Sequence, residues 1–406
     1  MKLMLKRIAA KPAAPAFLYL VACVGLLAGY PVSVALAQPD MSCPEATVQQ
    51  RPTQWIRRGS SWVGSDLQNI TRAMQPQIAA RQDKLLSFIR QAYPEPRGLE
   101  ARQGTSINTD HHSLYEKRPN GPLRYTVRVM FHHYWCFRGK PEVSGETGTR
   151  IEMHANFLYK FMREVGYQLP NGQEIYYMPK QVGTLKGYPV YSTHPDDRDR
   201  KRESILILPD QRLPVRAVSR EEVVRLFQAT LRNMLAENEE TTKVLEASLK
   251  ESEAYAARIE FKTEAERQKY INGNRQSVER GRQKREASAR EWRENIDRLE
   301  TMLTAMTPAE RSTQAVLGEP YGLMMNQRGQ GTFAEQAAFP YSRPVVTHDL
   351  AYGSSKLPRP AVQFIHLQMT YETAPDMVAK RAMMSQFLEK VDLDGLRGML
   401  ELPPTP

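Results

Sequence analysis

Apolar positions fall at helical spacing early in the chain and switch to strand spacing after about residue 106. Leu67, Ile70, Met74, Ile78, Leu85, Phe88, Ile89 and Ala92 recur every three or four residues, which predicts an amphipathic helix. Ser65 and Gln68 form a capping-box pattern ahead of it, AYPEPRG stops it, and Pro76 is expected to kink it. From Ser106 the period becomes two. SINTDHHSLY and PLRYTVRVMFHHYWCF read as strands joined by EKRPNG, whose Asn120-Gly121 is a tight hairpin signal. RIEMHANFLYKF sets Ile151, Met153, Ala155, Phe157, Tyr159 and Phe161 on one side of a strand, with a helix as the other reading, and EIYYMP, YPVYS and ESILILP are further strand candidates. A helix followed by an antiparallel meander predicts an α+β fold in which the N-terminal helix packs on the sheet, with a cystatin-like wrap as one specific form.

The period then returns to helix. Ser219 with Glu222 and Thr263 with Glu266 are two capping boxes, and Val224, Phe227, Leu231, Met234, Leu245, Tyr255 and Ile259 lie between them on a heptad frame. After Thr263 the chain is polar until Trp292, Ile296, Leu299, Leu303 and Met306 step by four, three, four and three. Two helices of similar length predict a long antiparallel coiled-coil hairpin over 219–306, turning near Lys262. Asn272-Gly273-Asn274 is the rival turn. Charge supports the first. Folding at Lys262 sets the acidic run Glu237, Glu239, Glu240, Glu246, Glu251 and Glu253 against Arg275, Arg280, Arg282, Lys284 and Arg285. Exposed ion pairs add little energy, so this pattern speaks for register.

These elements divide the chain into four parts: a signal or anchor segment at 1–37, an α+β domain at 38–218, the helical arm at 219–306, and a C-terminal strand and helix unit at 307–406 that packs back on the body. The strand PAVQFIHLQMTYE in the last part is expected to rejoin the sheet.

The first residues set the compartment. Lys2, Lys6, Arg7 and Lys11 precede an apolar run that ends at Ala35-Leu36-Ala37, the order of a secretory signal with cleavage before Gln38. Two other outcomes stay open: Leu20-Val21-Ala22-Cys23 resembles a lipobox, which would lipidate Cys23, and the stretch from Ala16 to Ala37 is about long enough to anchor uncleaved. Of the 406 residues, 406 minus 37 leaves 369, and of the net charge of +11, four units leave with the signal, giving +7. An exported chain meets an oxidising space. Cys43 and Cys136, the two cysteines beyond the signal, are therefore expected to form a disulfide.

The run FHHYWCF invites a metal reading, but adjacent strand residues face opposite ways. His132 and His133 cannot then share an ion, and His132 lies about 13 Å from Cys136. A two-residue turn at Asn120-Gly121 would place His111 diagonally across from His132, so the metal candidates are His111 and His132, with His154 or Asp110 as a third ligand. No cofactor is expected. No H-E-x-x-H, G-x-S-x-G, S-x-x-K or P-loop pattern occurs in the sequence. HPDDRDRKRES, residues 194–204, reads as a charged exposed loop and not as a site. The basic run RQKYINGNRQSVERGRQKR is assigned to the acidic helix as its partner, and nucleic acid is not an expected ligand.

The segments PDQRLP with VRAVSREEVVRLF, SSKLPRPAVQFIHLQ and LDGLRGML resemble patches in uncharacterised bacterial exported proteins. The resemblance implies a periplasmic or secreted compartment and carries no activity. The function expected is that of a non-catalytic envelope or secreted interaction protein, binding a protein partner or itself through residues 219–306 and the sheet surface. Membrane contact would come only through an uncleaved segment or a lipid on Cys23. The alternative is a secreted hydrolase or metal-dependent enzyme with a histidine-containing site not visible as a linear motif.

Overall fold

The protein is seen in a computed structural model that describes residues 43–52, 55–57, 70–107, 121–145, 148–158, 161–318, 342–352, 356–375 and 377–402. The signal segment, the Ser65 and Gln68 cap, Asp110, His111, His112 and Asn120 lie outside the described residues. The elements in order are α1 (Glu45–Gln49), β1 (Trp55–Arg57), α2 (Met74–Ala92), β2 (Leu99–Ile107), β3 (Tyr125–Phe137), β4 (Lys140–Val143), β5 (Thr149–Ala155), β6 (Arg163–Gln168), β7 (Glu174–Tyr177), β8 (Lys180–Leu185), β9 (Tyr188–Ser192), β10 (Arg200–Ile207) and β11 (Val215–Ala217). Then come α3 (Arg220–Ala256), α4 (Glu264–Ala305), α5 (Pro308–Ser312), β12 (Val316–Gly318), β13 (Ser342–His348), β14 (Ile365–Glu372), α6 (Val378–Lys390) and α7 (Leu393–Arg397).

The strands form two sheets. The larger runs β1-β2-β3-β5-β14-β10-β9-β8, with β4 paired to β3; the smaller runs β11-β13-β7-β6, with β12 paired to β13. Among the described strands all pairings are antiparallel except β1 with β2. The fold is thus the α+β class that the periodicity predicts. The C-terminal strand β14 sits between β5 and β10, deep inside the larger sheet.

Strand alternation decides what each face carries. On the larger sheet, Val127, Val129, Phe131, Ile151, Met153, Ile205, Ile365, Leu367 and Met369 form one buried core with Ile78, Leu85 and Ile89 of α2 and with Met383, Met384 and Phe387 of α6. Each fully buried side chain of this kind contributes roughly 1.5 to 3 kcal/mol. A second core joins the smaller sheet to the roots of the long helices through Ile175, Val345, Val224, Phe227, Leu231, Leu299 and Leu303. A third, containing Leu158, Phe161, Met162, Tyr176, Leu206, Val346 and Phe364, lies between residues of the two sheets. Residues 42–406 form one compact unit.

Three readings of the sequence are corrected. The β2–β3 register pairs Ile107 with Tyr125 and Glu100 with His132, where a two-residue turn at Asn120-Gly121 would set Thr109 against His132. The observed register is displaced from that one by nine residues; Asn120 itself lies outside the described residues. Pro76 does not kink a helix interior: α2 starts at Met74, so Pro76 lies in its first turn, where a missing N–H costs nothing. Residues 200–204 belong to β10, paired with β14 throughout and with β9 from Glu203, so the end of the charged stretch is a strand inside the sheet, while residues 194–199 form no strand.

The long helix pair is present. Helix α3 has 37 residues and α4 has 42, about 55 and 63 Å at 1.5 Å per residue. The Ser219 capping box forms with both of its hydrogen bonds, and Thr263 caps α4 by accepting from the Glu266 N–H. The chain turns over residues 257–263, while Asn272-Gly273-Asn274 stays helical. Gln228 Nε2 donates to Glu300 at 2.8 Å, Asn238 Nδ2 to the Arg285 carbonyl at 3.1 Å, and Arg275 pairs with Glu253 at 2.6 Å. Cys43 and Cys136 form the expected disulfide, with Cα atoms 5.5 Å apart. Tying the N-terminal segment to the end of β3 restricts the unfolded chain by up to about 4 to 5 kcal/mol on the chain-entropy model.

Candidate functional site

The structure separates the sequence's metal candidates. His132 is buried, and its Nδ1 bonds the Ser144 carbonyl at 3.0 Å. His154 is buried on β5, where its Nδ1 shares a hydrogen bond of 2.8 Å with Thr126 Oγ1. Thr126 lies opposite His154 in the β3–β5 register. Six residues of strand, about 20 Å, therefore lie between His132 and His154. They cannot share an ion, and His111 is outside the described residues. Among the described residues no group of three or more histidine, cysteine or acidic side chains is arranged to hold a metal.

What the structure does bring together is a cavity of about 970 Å³ between the two sheets. Its floor is the polar face of the larger sheet. Because β5, β14 and β10 present the same face at even-numbered positions, the register sets Arg150, Thr370 and Arg202 in one row and Glu152, Gln368 and Ser204 in the next. The smaller sheet supplies Arg163, Glu164, Glu174, Tyr176 and His348, and the intervening loops supply Arg124, Asn156 and His194. Among the described residues five arginines (124, 150, 163, 200 and 202) line it against two glutamates (164 and 174), so five minus two leaves an excess of three positive charges. Burial together with nearby Arg124 pushes the His348 imidazole down to about 4, which keeps that ring neutral at pH 7.

Two features hold the basic floor. Glu152, fully buried, pairs with Arg128, and with Arg150 at 2.8 Å, so one carboxylate positions an arginine of the cavity. Asn156, at φ +56° where β5 ends, is buried and lines the cavity. Its Nδ2 donates to the Leu123 and Ala361 carbonyls at 2.9 and 2.8 Å, and its Oδ1 accepts from the Gln363 N–H at 2.7 Å. It thereby fixes three segments of chain around the cavity.

In the next row of the same face, where His154 pairs with His366, His366 is fully buried, stacked on His154 at 5.1 Å between ring centroids and bonded to Ser204 Oγ at 3.0 Å. Burial first, and then the neighbouring His154, holds the His366 pKa well below its ordinary value. The unfolded chain takes this proton near pH 6.5 and the folded chain refuses it, so stability is complete above that pH and falls on acidification. The slope is up to about 1.4 kcal/mol per pH unit for one such proton. Urea unfolding between pH 7.5 and 4.5 is expected to show this decline, and His366→Asn to reduce it, His348 supplying the remainder by the same argument. An equal slope in both proteins would exclude His366 as its source.

The sequence reading missed every arginine of this cavity. The signal was present in RIEMHA, HLQMT and KRESILI, where polar residues alternate with the apolar ones as regularly as the apolar ones recur. No protein-family model matches the chain, and searches of curated proteins and of solved structures give no match.

Proposed function

We propose that this chain is an exported, non-catalytic binding protein of the envelope or its surroundings, which captures a small anionic ligand between its two sheets. The observation that carries the reading is the convergence, among the described residues, of five arginines on one cavity with two glutamates. A planar guanidinium donates two parallel hydrogen bonds to a carboxylate or phosphate, and a cavity lined by one sign of charge concentrates the opposite ion. Its volume falls in the range of small-molecule sites. The basic, apolar and small-residue order of residues 1–37 supports export, and the Cys43–Cys136 disulfide suits an oxidising compartment. Among the described residues no helix is long and apolar enough to cross a membrane.

The arm at 219–306 is the second surface of this reading, for a protein partner or a second copy. Its distal part exposes Val244 and Tyr255 at 58% and 55%, and its facing helices carry acidic and basic runs. Binding of benzoate and of phenyl phosphate, measured by calorimetry at low salt, tests the cavity. Arg163→Glu/Arg200→Glu is expected to weaken binding at least tenfold, while deletion of residues 238–287 leaves the affinity unchanged and removes any self-association. Binding that the charge reversal leaves intact would refute capture in the cleft. Association that survives the deletion would refute the role of the arm.

A further inference from the structure

Resting on that reading, we infer that the cleft is built for a phosphate monoester with an apolar body, the phosphate seated on the row Arg150, Thr370 and Arg202. These residues face each other directly across β5, β14 and β10, and directly paired residues share a face. Adjacent strands are about 4.8 Å apart, so the two arginine Cα atoms lie roughly 10 Å apart with the threonine midway. Thr370 and the neighbouring Gln368 are 3% and 4% exposed. Thr370 Oγ1, Gln368 Oε1 and Arg202 Nε are buried and make no hydrogen bond within the described chain. A buried polar atom without a partner costs about 1 to 3 kcal/mol, and here three such atoms lie along one cavity wall. Arg202 Nε and the Thr370 hydroxyl are donors, and the Gln368 amide, turned over, offers its Nε2 as a third.

The choice of phosphate follows from charge and shape. A carboxylate offers two oxygens and one charge, enough for one guanidinium, and would leave the hydroxyl unmatched. A phosphate monoester offers three terminal oxygens and close to two charges at neutral pH, which suits two arginines flanking a hydroxyl and the excess of three positive charges. The rest of the cavity is not polar. Leu158, Met162, Tyr176 and Phe364, each between 6% and 9% exposed, line the same space. A ligand that only neutralised the arginines would leave this surface uncovered, whereas an aromatic or acyl body would bury it at roughly 25 cal/mol per Å².

The test uses the mature, disulfide-bonded protein and four probes in calorimetry: phenyl phosphate, inorganic phosphate, benzoate and short-chain phosphatidic acid. Phenyl phosphate is expected to bind at least tenfold more tightly than inorganic phosphate or benzoate. Arg202→Gln and, separately, Thr370→Val are each expected to weaken it at least tenfold while leaving the unfolding midpoint in urea near that of the parent. Competition by short-chain phosphatidic acid would identify the source as a lipid headgroup, and failure to compete would identify a soluble phosphomonoester; either agrees with the inference. Phenyl phosphate binding no tighter than benzoate, or unaffected by both substitutions, would overturn it. Benzoate binding that is lost in Arg163→Glu/Arg200→Glu, without preference for phosphate, would overturn the phosphate assignment and leave anion capture standing. Binding of none of the probes would overturn both.

Discussion

Asn156→Ala is expected to destabilise the protein by about 4 kcal/mol or more, a large fraction of the stability of an ordinary domain. Three backbone groups from two distant segments, the Leu123 and Ala361 carbonyls and the Gln363 N–H, depend on this one amide. Each buried group left without a partner costs about 1 to 3 kcal/mol. The positive φ of 56° adds about 1 kcal/mol for alanine, because its Cβ meets the following carbonyl oxygen in that conformation. Asn156→Gly separates the two causes. Glycine accepts the backbone angle and restores only that last part, so Asn156→Gly should recover about 1 kcal/mol relative to Asn156→Ala and no more. Urea unfolding of the three proteins measures this. Near-parental stability of Asn156→Gly would mean that backbone strain, and not the hydrogen bonds, dominates.

The second large effect concerns Glu152, and its direction is asymmetric. The carboxylate is fully buried, while its two partners are partly solvated: the side chains of Arg128 and Arg150 are 45% and 34% exposed. Removing the acid with Glu152→Gln leaves two cations that water can reach, and about 1 to 2 kcal/mol should be lost. Removing both arginines instead leaves a buried anion without a cation, which costs about 3 to 5 kcal/mol. Arg128→Ala/Arg150→Ala should therefore be the more unstable protein at pH 7.5. Equal losses in the two variants would show that Glu152 is hydrated in solution.

These two residues also show why the fold was legible in the sequence while the site was not. Apolar periodicity identifies faces that are buried against oil-like surroundings, so α2, β3, β5, the cores of α3 and α4 and the return of β14 could be read from Ile, Leu, Val, Met and Phe alone. The capping box at Ser219 formed as written because a cap is a local event, complete within four residues. The cavity, in contrast, is made by register. Arg150, Thr370 and Arg202 are far apart in the chain and come together only because β14 inserts between β5 and β10. Reading Arg200 to Ser204 as a solvated loop failed for the same reason: a charged strand is stable where the facing sheet presents polar partners, and no local pattern records that facing sheet. The His111–His132 pairing rested on assuming that an Asn-Gly dipeptide closes a two-residue turn. The register of β2 with β3 pairs His132 with Glu100, nine residues away from the one that turn would set, and a register error of nine residues moves every cross-strand neighbour.

The helical arm lies between these cases. Its charge pattern anticipated Arg275 with Glu253 and the turn near Lys262, since opposite runs on equal helices leave few registers that avoid repulsion.

Arginine side-chain NMR, read at the Nε–H resonances during titration with phenyl phosphate and with benzoate, tests anion capture most directly. Capture in the cleft predicts saturable shifts for Arg150, Arg163, Arg200 and Arg202, with Arg275 and Arg285 on the arm unmoved. Shifts spread evenly over cleft and arm arginines, or no saturable shift in the cleft, would contradict it and leave the positive charge as a property of the whole surface.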